Sequence, residues 1–144
     1  MNLSKLTWGS PTSLMYHFYT STPNLKAIST YFPNLTNLTV TTHSLPHTWT
    51  ADLLGLRQLT HLVLSVSIID YIIECDDLIA FLKAHQPGFQ ILLYTNGDVN
   101  LLQSLKNGLS QRLDHLSRAE FNKKYGSQKK TSYIVIDDVT FYLP

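Results

Sequence analysis

Asn34-Leu35-Thr36-Asn37-Leu38-Thr39-Val40 and Gln58-Leu59-Thr60-His61-Leu62-Val63-Leu64 are the same phrase written twice, 24 residues apart. Each sets a leucine, a threonine, a polar residue, a second leucine and then an apolar residue two places on. From Leu62 onward the side chains of an extended chain alternate. Leu62 and Leu64 then face one side, and His61, Val63 and Ser65 the other. Leu59 sits where the strand begins and turns into the same core. Leu35, Leu38 and Val40 do the same in the first copy. Looser copies flank the pair, at Leu3, Leu6 and Trp8 and at Phe89, Leu92 and Tyr94.

A Leu-x-x-Leu-x-apolar phrase that recurs with helix-like sequence between its copies is the mark of a leucine-rich-repeat solenoid. The expected fold class is therefore α/β: a short irregular leucine-rich-repeat solenoid, with parallel strands joined by helical or loop crossovers. Strands are expected near 3–8, 35–41, 59–65 and 89–95, in one domain over 1–144. The first leucines lie 32 residues apart (3 to 35), then 24 (35 to 59), then 30 to Phe89. Repeats of this class run roughly 20–29 residues, so only the middle unit is regular.

Between the phrases the pattern turns helical. Asn24 precedes Leu25, Ile28 and Phe32 at helical spacing, and Pro33 ends that segment. Leu45 to Leu56 reads as an irregular loop and about two helical turns. Asp76 or Asp77 is placed to cap a helix carrying Leu78, Ile79 and Leu82, which stops before Pro87-Gly88. Asn96-Gly97-Asp98 reads as a turn. A helix over about 99–116 follows, carrying Leu101, Leu102, Leu105, Leu109, Leu113 and Leu116, with Gly108 as a place where it could split. Asn122 to Lys130 reads as an exposed basic loop, and Tyr133-Ile134-Val135-Ile136 as a last strand near 132–137 that helps cap the array. Ser10 to Thr22 fits a strand (Leu14, Tyr16, Phe18) or a helical face (Leu14, Phe18).

Composition narrows the function. The apolar fraction of 44% suits a folded chain, and a net charge of +1 makes no electrostatic case for nucleic acid or an anionic membrane. Cys75 is the only cysteine, which rules out an intramolecular disulfide or a cysteine zinc site and suits the cytoplasm or nucleus. The N-terminal residues Met1 to Leu6 show no apolar run of signal-peptide length, and no stretch has the length of a membrane helix.

Candidate chemistry is sparse, and no cofactor or metal site is expected. His43 and His47 would share a helical face as metal ligands, but Pro46 between them breaks such a helix. Cys75 stands beside Asp76 and Asp77, carboxylates that oppose a thiolate, so it reads as structural. Asp137-Asp138 reads as a solvated strand end rather than a cation site. Lys123, Lys124, Lys129 and Lys130 read as a solvated patch. The Asn-Leu-Thr and Asn-Leu-Ser sequons at Asn34, Asn37 and Asn2 come with the repeat phrase. The outward ladder of the repeated strands is the one surface singled out. Asn37, Thr39, Thr41, His61, Val63 and Ser65 are uncharged and rich in hydroxyl, amide and imidazole groups, suited to a protein partner. In the fourth strand Ile91 and Leu93 are expected to point outward, covered by the last strand or the 99–116 helix.

The run Phe32-Pro33-Asn34-Leu35-Thr36-Asn37-Leu38-Thr39-Val40, a Trp49-containing loop and then Leu59-Thr60-His61-Leu62-Val63-Leu64 resembles the fungal, chiefly basidiomycete, F-box and leucine-rich-repeat-like proteins. The later order is similar as well: an acidic helix, a strand at Pro87 to Tyr94, and a late apolar strand ending in Asp137-Asp138. Such proteins begin with an F-box of about three helices, whereas residues 1–31 are too short for one and already carry a repeat phrase. The resemblance implies the C-terminal repeat part only: a non-catalytic module that captures substrates for a ubiquitin ligase. Two other readings stand beside it. One is a truncated repeat fragment with no independent function, since Leu3, Leu6 and Trp8 would leave the first strand's edge bare. The other is a small cofactor-free hydrolase using His43, His47 or His61 with a carboxylate.

Overall fold

The computed structural model describes residues 11–18, 23–69, 71–96, 99–126 and 131–144. The elements run β1 (Ser13–Phe18), α1 (Leu25–Tyr31), β2 (Asn37–Ser44), α2 (Trp49–Leu53), β3 (His61–Ile68), α3 (Cys75–Ala84), β4 (Gln90–Thr95), α4 (Val99–Arg112), β5 (Asp114–Ser117), α5 (Arg118–Tyr125), β6 (Tyr133–Ile136) and β7 (Val139–Tyr142). All seven strands join one open, mostly parallel sheet in the order β1-β2-β3-β4-β6-β7-β5. The pairs from β1 through β4 to β6 are parallel; β7 is antiparallel to both β6 and β5.

The register explains why the phrase repeats. Leu14, Leu38, Leu62, Ile91 and Ile134 lie side by side across five strands. The last four are essentially inaccessible to solvent. Tyr16, Val40, Leu64, Leu93 and Ile136 form the next row, also buried. Burying each such aliphatic side chain contributes about 1.5–3 kcal/mol. Threonines set the start of the β2 and β3 rungs. The Thr36 hydroxyl and the Thr36 and Asn37 amides donate to the Thr12 carbonyl, and the same groups of Thr60 and His61 donate to the Thr36 carbonyl. Both steps span 24 residues.

Helices α1 to α4 supply the other wall of this core. Asn24 caps α1 by accepting from the Ala27 amide at 3.0 Å, and Leu25 and Ile28 are fully buried. Trp49 of α2 meets Phe81 of α3 edge-on at 5.4 Å between ring centroids. Leu105 and Leu109 of α4, and Leu113 just after it, close the cluster. A second, smaller cluster lies on the opposite face of the sheet. There Phe121 of α5 packs among Tyr133, Val135 and Tyr142, with Leu92 and Leu116 at its margin.

Several expectations change. The place beside β2 assigned to a phrase at 3–8 is taken by Ser13–Phe18; residues 3–8 lie outside the described residues. The helix over 99–116 ends at Arg112, and residues 114–117 form β5, because Leu116 is drawn to the second cluster on the far face. Gly108 does not split α4. Part of the supposed loop over 122–130 is the end of α5, whose first turn is held by Ser117: its hydroxyl accepts from the Glu120 amide and donates to the Glu120 carboxylate. Lys129 and Lys130 lie outside the described residues, as do Gly97 and Asp98 of the expected turn. The residue preceding α3 is Glu74, with no side-chain cap; Asp76 and Asp77 sit in the first turn.

The fourth strand carries the main correction. Ile91 and Leu93 point into the helix-covered core, not outward, while Leu92 is half-buried and Tyr94 is 49% exposed on the other face. Leu35 and Leu59 each precede the first inward strand residue by three positions, whereas Phe89 precedes Ile91 by two. One residue fewer reverses which side chains face in. The last strand, Tyr133–Ile136, covers nothing: it extends the sheet edge-to-edge from β4.

Candidate functional site

The six ladder residues come together as cross-strand pairs: Asn37 with His61, Thr39 with Val63, Thr41 with Ser65. Asn37 and His61 are exposed and the other four half-buried, so this face is partly open to solvent while the opposite face of the same strands is buried. The His61 Nδ1 lies 2.9 Å from the Thr60 hydroxyl, which steadies the ring at the start of β3.

The neighbouring strands widen this face into three rows. Ser13, Asn37, His61 and Gln90 form the first; Met15, Thr39, Val63 and Leu92 the second; His17, Thr41, Ser65 and Tyr94 the third. None is Asp, Glu, Lys or Arg. The middle row holds three apolar side chains, Met15, Val63 and Leu92, with Thr39 among them, and Met15 is 67% exposed. At the far end of the strands a shallow cleft of about 140 Å³ is bounded by Thr41, Ser65, Ser67, Tyr94 and Asn96, among others. Beyond β4 the face is no longer open, because α5 lies on β5 and β7. Sequence reasoning missed Gln90, Leu92 and Tyr94 through the reversed parity of β4. The strict alternation Phe89, Ile91, Leu93 is the signal that reveals it.

The remaining candidates are dispersed. His43 lies on β2, and His47, in the loop before α2, stacks on Tyr71 at 3.9 Å. His47 and Asp77 line one open groove between α2 and α3, of about 570 Å³, with Ala51, Leu54, Ala80 and Ala84, but form no ion pair. The Cys75 thiol is half-buried, its sulfur 3.8 Å from the Leu105 carbonyl. Burial raises its pKa most, Arg112 opposes the rise, and Glu74 adds to it. Asp137 and Asp138 form the β6–β7 turn, and Asp137 pairs with Lys106 at 2.8 Å. Lys123 and Lys124 are exposed on α5.

His85 is the buried imidazole of the structure. Its Nδ1 lies 2.8 Å from the Phe81 carbonyl, which only accepts, so the neutral ring carries its proton there. The ring stacks on Phe89 at 4.2 Å, and Nε2 is buried. Burial holds its pKa below the ordinary histidine value, against the pull of the Phe81 and Leu56 carbonyls.

Among the described residues no three His, Cys, Asp or Glu side chains are grouped so as to hold a metal ion, and no helix is long and apolar enough to cross a membrane. No protein-family model, curated protein or solved structure matches the chain.

Proposed function

We propose that this chain is a short, irregular leucine-rich-repeat-like solenoid that works as a non-catalytic protein-interaction module, binding its partner on the open face of β1 to β4. The observation that supports the reading is the 24-residue step from Thr12 to Thr36 to Thr60, at which the same backbone and hydroxyl contacts recur. Stacked similar rungs create an extended surface, and that surface here carries no Asp, Glu, Lys or Arg and is rich in hydrogen-bonding groups. Substrate capture for a ubiquitin ligase, in cytoplasm or nucleus, is the specific role that the resemblance to F-box and leucine-rich-repeat-like proteins adds.

Quantitative affinity capture from cell extract tests the reading. Thr39→Asp and His61→Asp each place a charge in the neutral rows without entering the core. Both are expected to lose the same interactors while their melting curves stay like that of the parent chain. Unchanged recovery of every interactor would overturn the proposal.

A further inference from the structure

We propose that the open half of the sheet receives a short amphipathic α-helix of a partner protein, laid across β1 to β4 with one end against α5. This rests on the reading of that face as a protein-binding surface and specifies what it takes.

The middle row sets the shape. Met15, Thr39, Val63 and Leu92 are consecutive cross-strand neighbours, so a stripe that is apolar but for the Thr39 hydroxyl runs across the strands rather than along them. Adjacent strands lie about 4.8 Å apart, and an α-helix advances about 5.4 Å per turn. A helix across the strands therefore sets its i, i+3 or i+4, and i+7 side chains over successive strands. An extended segment presents a side chain on one face only every 6.8 Å or so and falls out of step. Four strands span about 14 Å, the length of about nine helical residues.

The same face already holds one short helix. The eight-residue α5 buries Phe121 among Tyr133, Val135 and Tyr142. Leu92, the last member of the open stripe, belongs to this cluster, and its strand partner on β6 is Val135. The stripe thus continues beneath α5, and a partner helix would extend an interface the chain makes with itself. Charge sets the orientation. The open rows carry no Asp, Glu, Lys or Arg, while α5 exposes Arg118, Lys123 and Lys124 against Glu120. The end of the partner helix that abuts α5 is accordingly acidic, and its flanks are neutral.

Selection from two displayed random-peptide libraries against the full chain tests this, one library helix-constrained and one linear with a fixed central proline. The helical library should enrich apolar residues at i, i+3 or i+4, and i+7 with Asp or Glu at one end. Affinity for a selected peptide should fall about tenfold or more in Val63→Asp and in Met15→Asp, the latter at a side chain exposed enough to spare the fold. It should stay unchanged in Leu54→Asp on the helix side, and fall when Lys123→Glu and Lys124→Glu are combined. Proline-bearing peptides that win and respond to Met15→Asp would overturn the helix while leaving the binding face intact. Enrichment from neither library, or binding indifferent to both Val63→Asp and Met15→Asp, would overturn the helix and the face together.

Discussion

A β-carbon on Gly108 would lie 2.5 Å from the Cys75 sulfur: the first turn of α3 rests on the bare backbone of α4. Real atoms do not approach so closely, so the glycine is required by packing rather than by backbone conformation. Gly108→Ala gains about 1 kcal/mol of helix propensity and loses about 1–3 kcal/mol to overpacking. A net loss of about 1 kcal/mol is expected in urea unfolding. The Cys75→Ala, Gly108→Ala double variant should recover it, since the obstructing sulfur is gone; equal losses in both backgrounds would refute the contact.

The reversed parity of β4 predicts unequal neighbours. Ile91 is fully buried between Leu62 and Ile134, whereas Leu92 is half-buried at the margin of the small cluster. Ile91→Ala should cost about 2–5 kcal/mol and Leu92→Ala about half as much or less. Thermal melts of the two variants decide it, and the reverse order would restore the outward placement of Ile91.

His85 makes stability depend on pH. Its folded pKa is depressed, so over the interval between the folded and unfolded values the unfolded chain binds more protons. The stabilisation is fully present above the unfolded value of about 6.5 and is lost progressively as pH falls from there through the folded value. Arg57 acts in the same direction as burial. Urea midpoints measured from about pH 7.5 down to 5 should fall for the parent chain. They should fall less for His85→Gln.

Asp137 is the one non-glycine residue among those described with positive φ, at 54°, in the β6–β7 turn. Aspartate tolerates that conformation and a β-branched residue does not. Asp137→Val should cost about 1–3 kcal/mol through backbone strain. Lys106→Met, which removes the 2.8 Å ion pair but leaves the turn, should cost less than about 1 kcal/mol because the Asp137 side chain is half exposed. Differential scanning calorimetry of the two variants separates backbone from charge.

Much of the fold is legible residue by residue, and what escapes has particular causes. Leu35, Leu38 and Val40, and Leu59, Leu62 and Leu64, announce β2 and β3 because two full-length copies fix each other's register. Leu14 and Tyr16 of β1 carry the alternation without the preceding leucine, so a looser phrase nearer the N-terminus competes with them. Leu116, continuous in spacing with Leu109 and Leu113, leaves the helix because a second cluster exists on the far side of the sheet, which no helical stripe reveals. Within the candidate face, the six residues from β2 and β3 follow from alternation alone. Leu92 and Tyr94 do not, since their side depends on a one-residue shortening in the turn before β4.

Sequence by itself determined the rung: which leucines of β2 and β3 turn inward, and that the outward rows of these two strands are uncharged. These follow from local alternation and a repeated spacing, both written along the chain. Only the tertiary structure decided where the array stops being open. The turn before β4 sets that strand's facing, β7 and β5 change the direction of pairing, and α5 covers the outward surface over β7 and β5. Each depends on contacts between segments far apart in the chain, where the free energy of burying Phe121 against Tyr133 and Tyr142 outweighs what the local pattern of α5, polar on nearly every side, would favour.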